Sequence, residues 1–142
     1  HGTAHLVDGV VNLVGVRLDQ DGIGYRSDNP KAALGPEAAR QTRAAMVDAV
    51  NGELGRAYAG QADITLYGVT DARSAGKTGT AQLGGEQAPH SWFIGFAPAQ
   101  EGGEPVIAIA VLIESGGSGS DRAAPIAGRL MAEYLAMRGS DG

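Results

Sequence analysis

The residues best suited to chemistry stand together at positions 77–80, where the sequence reads Lys-Thr-Gly-Thr. In an extended strand the lysine and the glycine would face one side and the two threonines the other, because side chains alternate with a period of two. A fixed ammonium and two hydroxyls can together hold an anion such as a carboxylate. Gly79 would remove the side chain that keeps a ligand away from the strand. The segment therefore predicts an anion-binding strand.

The choice of lysine at this position is informative. The chain contains nine arginines but only two lysines, Lys31 and Lys77. A sequence that otherwise uses arginine and places lysine here can require a compact cation. A bare Lys-Thr-Gly tripeptide is nevertheless more often a solvated surface turn, so these residues alone do not define a function.

The surrounding pattern predicts an α+β fold, in which helices flank an antiparallel sheet. Three apolar or β-branched stretches predict strands, and the short connections between them favour antiparallel pairing. The last stretch is continuously apolar and predicts a strand buried on both faces. Apolar residues at steps of three and four predict one helix before the strands and one after them. The strands are expected at 74–83, 91–97 and 106–113, and the helices from Pro36 and over 124–137.

Finer expectations concern the core and the connections. Residues 6–18 predict a strand or a bent hairpin arm with a short return strand at 23–26, residues 64–67 a short strand, and residues 116–120 a mobile glycine-serine loop. The expected core residues are Ala39, Met46, Val47, Val50 and Leu54 in the first helix and Ile126, Leu130, Met131, Tyr134 and Leu135 in the last.

Bulk properties exclude several functional classes. The net charge is −5 and the arginines are dispersed, so nucleic acid is not an expected partner. The absence of cysteine removes thiol catalysis, disulfides and thiolate metal sites. The three histidines lack the spacing of a metal site, and no cofactor is expected. No apolar run reaches the roughly 18–20 residues that span a bilayer, and no signal-peptide pattern is present.

The flanks of the Lys-Thr-Gly segment carry a resemblance to a known family. Residues 75–82 read AGKTGTAQ, residues 90–98 read HSWFIGFAP, and the apolar run 106–113 is followed by Glu114. These segments resemble the end of the penicillin-binding protein transpeptidase domain, most closely its monofunctional class B members. The resemblance is specific over residues 75–135.

The resemblance implies a domain organisation and a location. Residues 1–142 would be the C-terminal portion of a single transpeptidase domain. Residues 1–35 would supply N-terminal strands and a loop, and residues 36–138 a helix, the three-stranded antiparallel unit and the terminal helix. The parent protein would act at the extracytoplasmic face of the cell membrane, anchored by a segment absent from this chain.

The family catalyses serine acyl transfer with three motifs, S-x-x-K, S-x-N and K-T-G. The serine attacks a peptidoglycan stem peptide or a β-lactam and forms an acyl-enzyme. The resemblance therefore implies that Lys77 polarises the hydrogen bonds around the serine of the second motif. It also implies that the backbone N–H of Thr80 is an oxyanion donor. Substrate would be bound by Thr78, Gly79, Thr80, Ala81 and Gln82.

Two further motifs are present only formally. Ser74 and Lys77 spell S-x-x-K, but the nucleophile motif requires a helix and this one overlaps the predicted strand. Ser27 and Asn29 spell S-x-N, but they lie in a loop before Pro30, where an Asx turn is the ordinary explanation. We therefore expect the nucleophile to lie upstream, outside this chain, and the chain alone to be inactive. Lacking strands from the remainder of the domain, the chain is also expected to self-associate.

Two other functional classes remain open at this point. Without a nucleophile, the chain is compatible with a non-catalytic transpeptidase-like envelope module. Gly76, Lys77 and Thr78 also resemble the end of a phosphate-binding P-loop. That loop requires a glycine where this chain has Asp71 and a helix directly after the threonine, and neither requirement fits the sequence.

Overall fold

The computed structural model describes residues 4–7, 10–13 and 36–139. At the N-terminus, β1 (Ala4–Val7) and β2 (Val10–Leu13) pair as an antiparallel hairpin. The strand or bent hairpin arm predicted over 6–18 is thus observed in part, as the end of β1 and the whole of β2; residues 14–18 lie outside the described residues. The return strand predicted at 23–26 and the formal S-x-N motif at 27–29 lie outside the described residues.

The centre of the fold is a three-stranded antiparallel sheet in the order β3-β4-β5. Its strands are β3 (Ala75–Ala81), β4 (His90–Ala97) and β5 (Ile107–Ile113). The register places Lys77 opposite Ile94, and it aligns Gly79, Trp92 and Leu112 across all three strands. Helices lie on both faces of this sheet, which confirms the predicted α+β class.

One face of the sheet is partly covered by α1 (Pro36–Asn51). Its half-buried Met46 and Val47 pack against a small cluster of Ala75, Phe96 and Ala99. The Arg43 guanidinium lies 5.1 Å from the centroid of the Phe96 ring and donates to the carbonyls of Gln100 and Gly103, each at 2.9 Å. The predicted core position of Leu54 is wrong, because the helix ends at Asn51 and this side chain is 85% exposed.

The opposite face is covered by α3 (Ala123–Gly139). Its buried side is made largely of small residues. Of the large residues predicted for the core of this helix, Met131 is wholly buried. A Cβ added to Gly128 would lie 2.6 Å from Cε2 of Tyr67 and 2.9 Å from the carbonyl oxygen of Gln61. Small residues therefore allow close approach here. The predicted core positions of Ile126 and Leu130 are wrong, since both face solvent.

The connector between α1 and β3 contains α2 (Arg56–Ala59) and two 3-10 turns, Gly60–Ala62 and Ile64–Tyr67. The strand predicted at 64–67 is therefore wrong. Asp63 explains the difference, because its carboxylate accepts from the Thr65 N–H at 3.0 Å and from the Thr65 hydroxyl at 2.8 Å. This local hydrogen bonding favours a turn over a strand.

The strand β5 is covered on one side only. Ile107, Ile109 and Val111 pack toward the core that α3 completes, whereas Leu112 is 45% exposed. The prediction of burial on both faces is wrong, because α1 covers the second face only near Phe96, on the neighbouring strand. Within 4–7, 10–13 and 36–139, no strand pairs with the outer edge of β5. In the same residues, no helix has both the length and the apolar character needed to cross a membrane.

Candidate active site

The Lys-Thr-Gly-Thr segment lies on β3, at the edge of the described sheet. Two residues before the strand, the Arg73 carbonyl accepts from the Ala99 N–H at 2.8 Å, on the side of β4. In an antiparallel ladder, peptide groups alternate between the two sides of the strand. Counting from Arg73 in steps of two, Lys77 and Gly79 therefore direct their N–H and C=O groups toward β4.

The same alternation turns the peptide groups of Thr78 and Thr80 toward the free outer edge of the strand. An independent contact agrees, because Nζ of Lys77 donates to the Thr78 carbonyl at 2.6 Å. The edge thus presents an ammonium and the backbone N–H of Thr80 side by side. These groups can bind a negatively charged ligand and a developing oxyanion.

The side chains of the predicted site divide between the two faces of β3. Lys77 and Gly79 share a face with Ile94 and Trp92, and that part of the face is open to solvent. Thr78 and Thr80 lie on the other face, the one that α3 covers further along the sheet. Ala81 is the last residue of β3, and the exposed Gln82 follows it. The predicted residues are therefore brought together along one edge, with the threonine hydroxyls on the side opposite the ammonium.

Sequence reasoning missed a set of residues behind this edge. The N–H of Gly119, in the connection between β5 and α3, donates to Oγ1 of Thr80 at 3.4 Å. A Cβ at Gly119 would lie 2.5 Å from the Gly79 carbonyl oxygen, so only glycine fits against the strand. The wholly buried Ser91 hydroxyl donates to the Ser118 carbonyl at 2.9 Å and accepts from the Ala123 N–H at 3.1 Å. The connection expected to be mobile is thus held by hydrogen bonds.

The formal S-x-x-K motif at Ser74 has a structural role. Ser74 is wholly buried, and its hydroxyl donates to the Ala62 carbonyl at 2.7 Å and accepts from the Ile64 N–H at 3.3 Å. It precedes a strand and not a helix. The prediction that this segment forms a strand, and not the helix that the nucleophile motif requires, is confirmed.

The P-loop interpretation is excluded by the same strand. A phosphate-binding loop requires a helix immediately after the Lys-Thr pair. Here β3 continues through Ala81, and the following residues form a turn that leads to β4.

A groove between α1 and the β4–β5 turn lies away from these residues, at the other end of β3. Two of its charged side chains already have partners, since Arg40 pairs with Glu37 and Arg43 bonds to two carbonyls. The described residues contain no cluster of three or more His, Cys, Asp or Glu that could hold a metal ion. The β3 edge is therefore the better candidate site.

Similarity to known proteins identifies the family of this chain. Residues 4–132 match the family described as the penicillin binding protein transpeptidase domain. The chain belongs to this family. The residues that match the transpeptidase family include the whole of β3 and β4.

The chain covers only part of the length of individual members of the family. Peptidoglycan D,D-transpeptidase MrdA of Haemophilus influenzae is 30% identical over an alignment of 150 residues, gaps included. The alignment covers 96% of this chain and 21% of the relative. Peptidoglycan D,D-transpeptidase PbpA of Mycolicibacterium smegmatis is 32% identical over 139 residues, which cover 86% of this chain and 28% of the relative. The chain thus spans less than a third of the length of these transpeptidases.

The fold is similar to that of a solved member of the family. The crystal structure of Pseudomonas aeruginosa PBP2 in complex with WCK 5153 superimposes with a TM-score of 0.58 at 32% sequence identity. The match covers 81% of this chain and 23% of the PBP2 chain. The sheet and helices described above are therefore those of a penicillin-binding protein transpeptidase domain.

Proposed function

We propose that residues 36–139 supply the Lys-Thr-Gly wall of the active site of a peptidoglycan D,D-transpeptidase. The observation that carries the proposal is the edge of β3. There Lys77 and the outward peptide groups of Thr78 and Thr80 adjoin an edge that pairs with no strand among the described residues. Membership of the transpeptidase family supports a serine acyl transfer at this edge.

In the proposed mechanism the stem peptide lies along β3 in an extended conformation and bonds to the outward peptide groups. The Thr78 and Thr80 hydroxyls bind its terminal carboxylate. Gly79 leaves the strand surface flat enough for this contact. Ala81 and Gln82 extend the binding surface beyond the end of the motif. A β-lactam, whose carboxylate and carbonyl mimic those of the peptide, occupies the same position.

The chemical step needs a serine from the helical S-x-x-K motif, which we propose is carried by the remainder of the domain. Its hydroxyl oxygen attacks the penultimate D-alanine carbonyl, the amide bond breaks, and the terminal D-alanine leaves with the serine proton on its amine. The Thr80 N–H stabilises the oxyanion, an effect of roughly 3–4 kcal/mol in sites of this kind. An amine of a second stem peptide then attacks the ester and releases the serine. Lys77 polarises the hydroxyl of the second-motif serine.

We propose that the chain is the C-terminal portion of a single transpeptidase domain, with residues 1–35 preceding the unit at 36–138. The parent enzyme is placed at the extracytoplasmic face of the membrane, where stem peptides are found. The remainder of the domain covers the open face around Trp92, Ile94 and Leu112. Without that cover, the apolar surface favours self-association of the chain.

Fluorescent penicillin tests the proposal. The 142-residue chain alone is expected to take no covalent label, whereas the full product of its gene is expected to be acylated. In the full product, Lys77→Ala is expected to lower the acylation rate by about a hundredfold or more, because the charged group that polarises the serine of the second motif is lost. The matched control is Lys31→Ala, which removes the other lysine of residues 1–142 and should leave the rate near that of the unaltered protein.

Two results would contradict the assignment. Stable labelling of the isolated chain would place the nucleophile within residues 1–142. An acylated full-length product that is insensitive to Lys77→Ala would remove this strand from the site.

A non-catalytic envelope module is the second candidate. It is favoured by the burial of Ser74, which leaves the S-x-x-K spelling of the described residues without a usable nucleophile. The two candidates differ in one result, because a non-catalytic module stays unlabelled even as the full gene product.

A further inference from the structure

The connection between β5 and α3, here called the β5–α3 loop (residues 114–122), is hydrogen-bonded to Pro89 and to the first residues of β4. The Gly117 N–H donates to the Pro89 carbonyl at 2.9 Å. The Ser115 N–H donates to Nδ1 of His90, also at 2.9 Å. The Ser91 hydroxyl donates to the Ser118 carbonyl. Three consecutive residues, Pro89, His90 and Ser91, therefore each form a hydrogen bond with the β5–α3 loop.

The contact at His90 depends on protonation. Nδ1 can accept a hydrogen bond only when it carries no proton, so the imidazole must be neutral with its proton on Nε2. Its donor, Ser115, has a φ of 51°, in the left-handed region that non-glycine residues rarely adopt. The hydrogen bond to His90 compensates this local strain and stabilises the turn that opens the loop.

The other end of the loop reaches the strand that carries the Lys-Thr-Gly motif. Gly119 lies against β3, where an added Cβ would be 2.5 Å from the Gly79 carbonyl oxygen and 2.6 Å from that of Trp92. From this position its N–H points at Oγ1 of Thr80, at the long distance of 3.4 Å. A hydroxyl that accepts this bond keeps its own proton free to donate elsewhere.

We propose that His90 is a positioning residue for Thr80. The neutral imidazole holds Ser115, the loop carries Gly119 onto β3, and the Gly119 N–H orients the Thr80 hydroxyl so that it donates to a bound carboxylate. The role in ligand binding rests on the proposed function, whereas the coupling from His90 to Thr80 is a property of the loop itself.

The elements next to His90 carry few charged residues. They are Glu86 in the β3–β4 connection, Glu114 beside Ser115, and Asp121 and Arg122 at the end of the loop, and residues 123–128 of α3 carry no charge. In the described part of the chain, the hydrogen bond to Ser115 is the polar side-chain contact of His90, and no ion pair joins it to these groups.

Amide NMR spectra of the 142-residue chain test the coupling without any ligand. His90→Ala is expected to shift the Ser115, Gly119 and Thr80 amide signals and to speed exchange of the Ser115 N–H. His90→Asn, whose side-chain oxygen can replace Nδ1 as acceptor, should restore the signals.

Gly119→Ala provides a second route, because it separates the loop from β3 while leaving His90 in place. It should shift Thr80 as His90→Ala does, so the test survives if the alanine variant at 90 fails to fold. If His90→Ala shifts the amide signal of Ser115 while those of Gly119 and Thr80 stay unchanged, His90 acts only locally and the proposal is overturned.

Acylation of the full gene product by penicillin tests the functional part. His90→Ala is expected to lower the acylation rate on the order of tenfold through misplacement of Thr80, and His90→Asn to restore it. An unchanged rate in His90→Ala overturns the positioning role and leaves the proposed function intact. A full product that is never acylated contradicts the proposed function, and the NMR coupling then decides the structural link alone.

Discussion

The two faces of the sheet are built in opposite ways. The face under α3 is closed by small helical residues that pack closely on Phe93, which is wholly buried. The face that bears Lys77 is covered by α1 at one end and leaves Trp92 and Ile94 exposed. Stability is therefore concentrated on one side of β4, and the other side is free to contact a ligand or further polypeptide.

The largest expected effect on stability comes from truncating two adjacent residues of β4 whose side chains lie on opposite faces of the sheet. Phe93→Ala is expected to lower the free energy of unfolding by about 3–5 kcal/mol, because it empties a buried aromatic site. Ile94→Ala, one residue along and on the open face, should cost well under about 1 kcal/mol in the isolated chain. Urea denaturation measures both. Equal losses would show that the two faces contribute alike.

A smaller effect is expected at the contact between α3 and the connector. Gly128→Ala should destabilise the chain by about 1–3 kcal/mol, since its new methyl group would overlap Tyr67 and Gln61. Gly139→Ala is the matched control, because nothing lies within 4 Å of a Cβ at that position of the same helix. Thermal unfolding separates the two variants. A neutral Gly128→Ala would mean that α3 can shift away from the sheet.

The smallest effect on stability, and a distinct effect on solution behaviour, is expected on the open face. Leu112→Lys should leave the unfolding free energy nearly unchanged while reducing self-association, since a charge interrupts an exposed apolar surface at a sheet edge. Light scattering measures the change. If the chain without the substitution is monomeric by light scattering, the exposed apolar face does not drive self-association.

The sheet and the site were predictable for a common reason: their residues are local in sequence. Three apolar stretches with short connections specify antiparallel neighbours, and the residues of the β3 edge follow one another along a single strand. Alternation along that strand is enough to assign each side chain to a face. Hence the order of the strands and the grouping of Lys77 with Gly79 follow from pattern alone.

The errors have a physical cause as well. Large apolar residues were assigned to the buried stripe of α3, but close approach to the connector selects alanine and glycine and turns Ile126 and Leu130 outward. The hydrogen bonds of the β5–α3 loop join residues far apart in sequence, such as Thr80 and Gly119. Short-range pattern contains no information on such pairs. A polar Ser91 within an otherwise apolar strand is the signal that could have indicated a buried polar contact there.

The alternating direction of the peptide groups on β3 restricts how this segment can change in evolution. Insertion or deletion of a single residue between Arg73 and Lys77 would move each later side chain of β3 to the opposite face and turn each later peptide group to the opposite edge. The ammonium would turn toward the opposite face, and the peptide groups of the two threonines would turn inward to the ladder. Length changes by one residue upstream of the motif should therefore be far less tolerated than many substitutions within it.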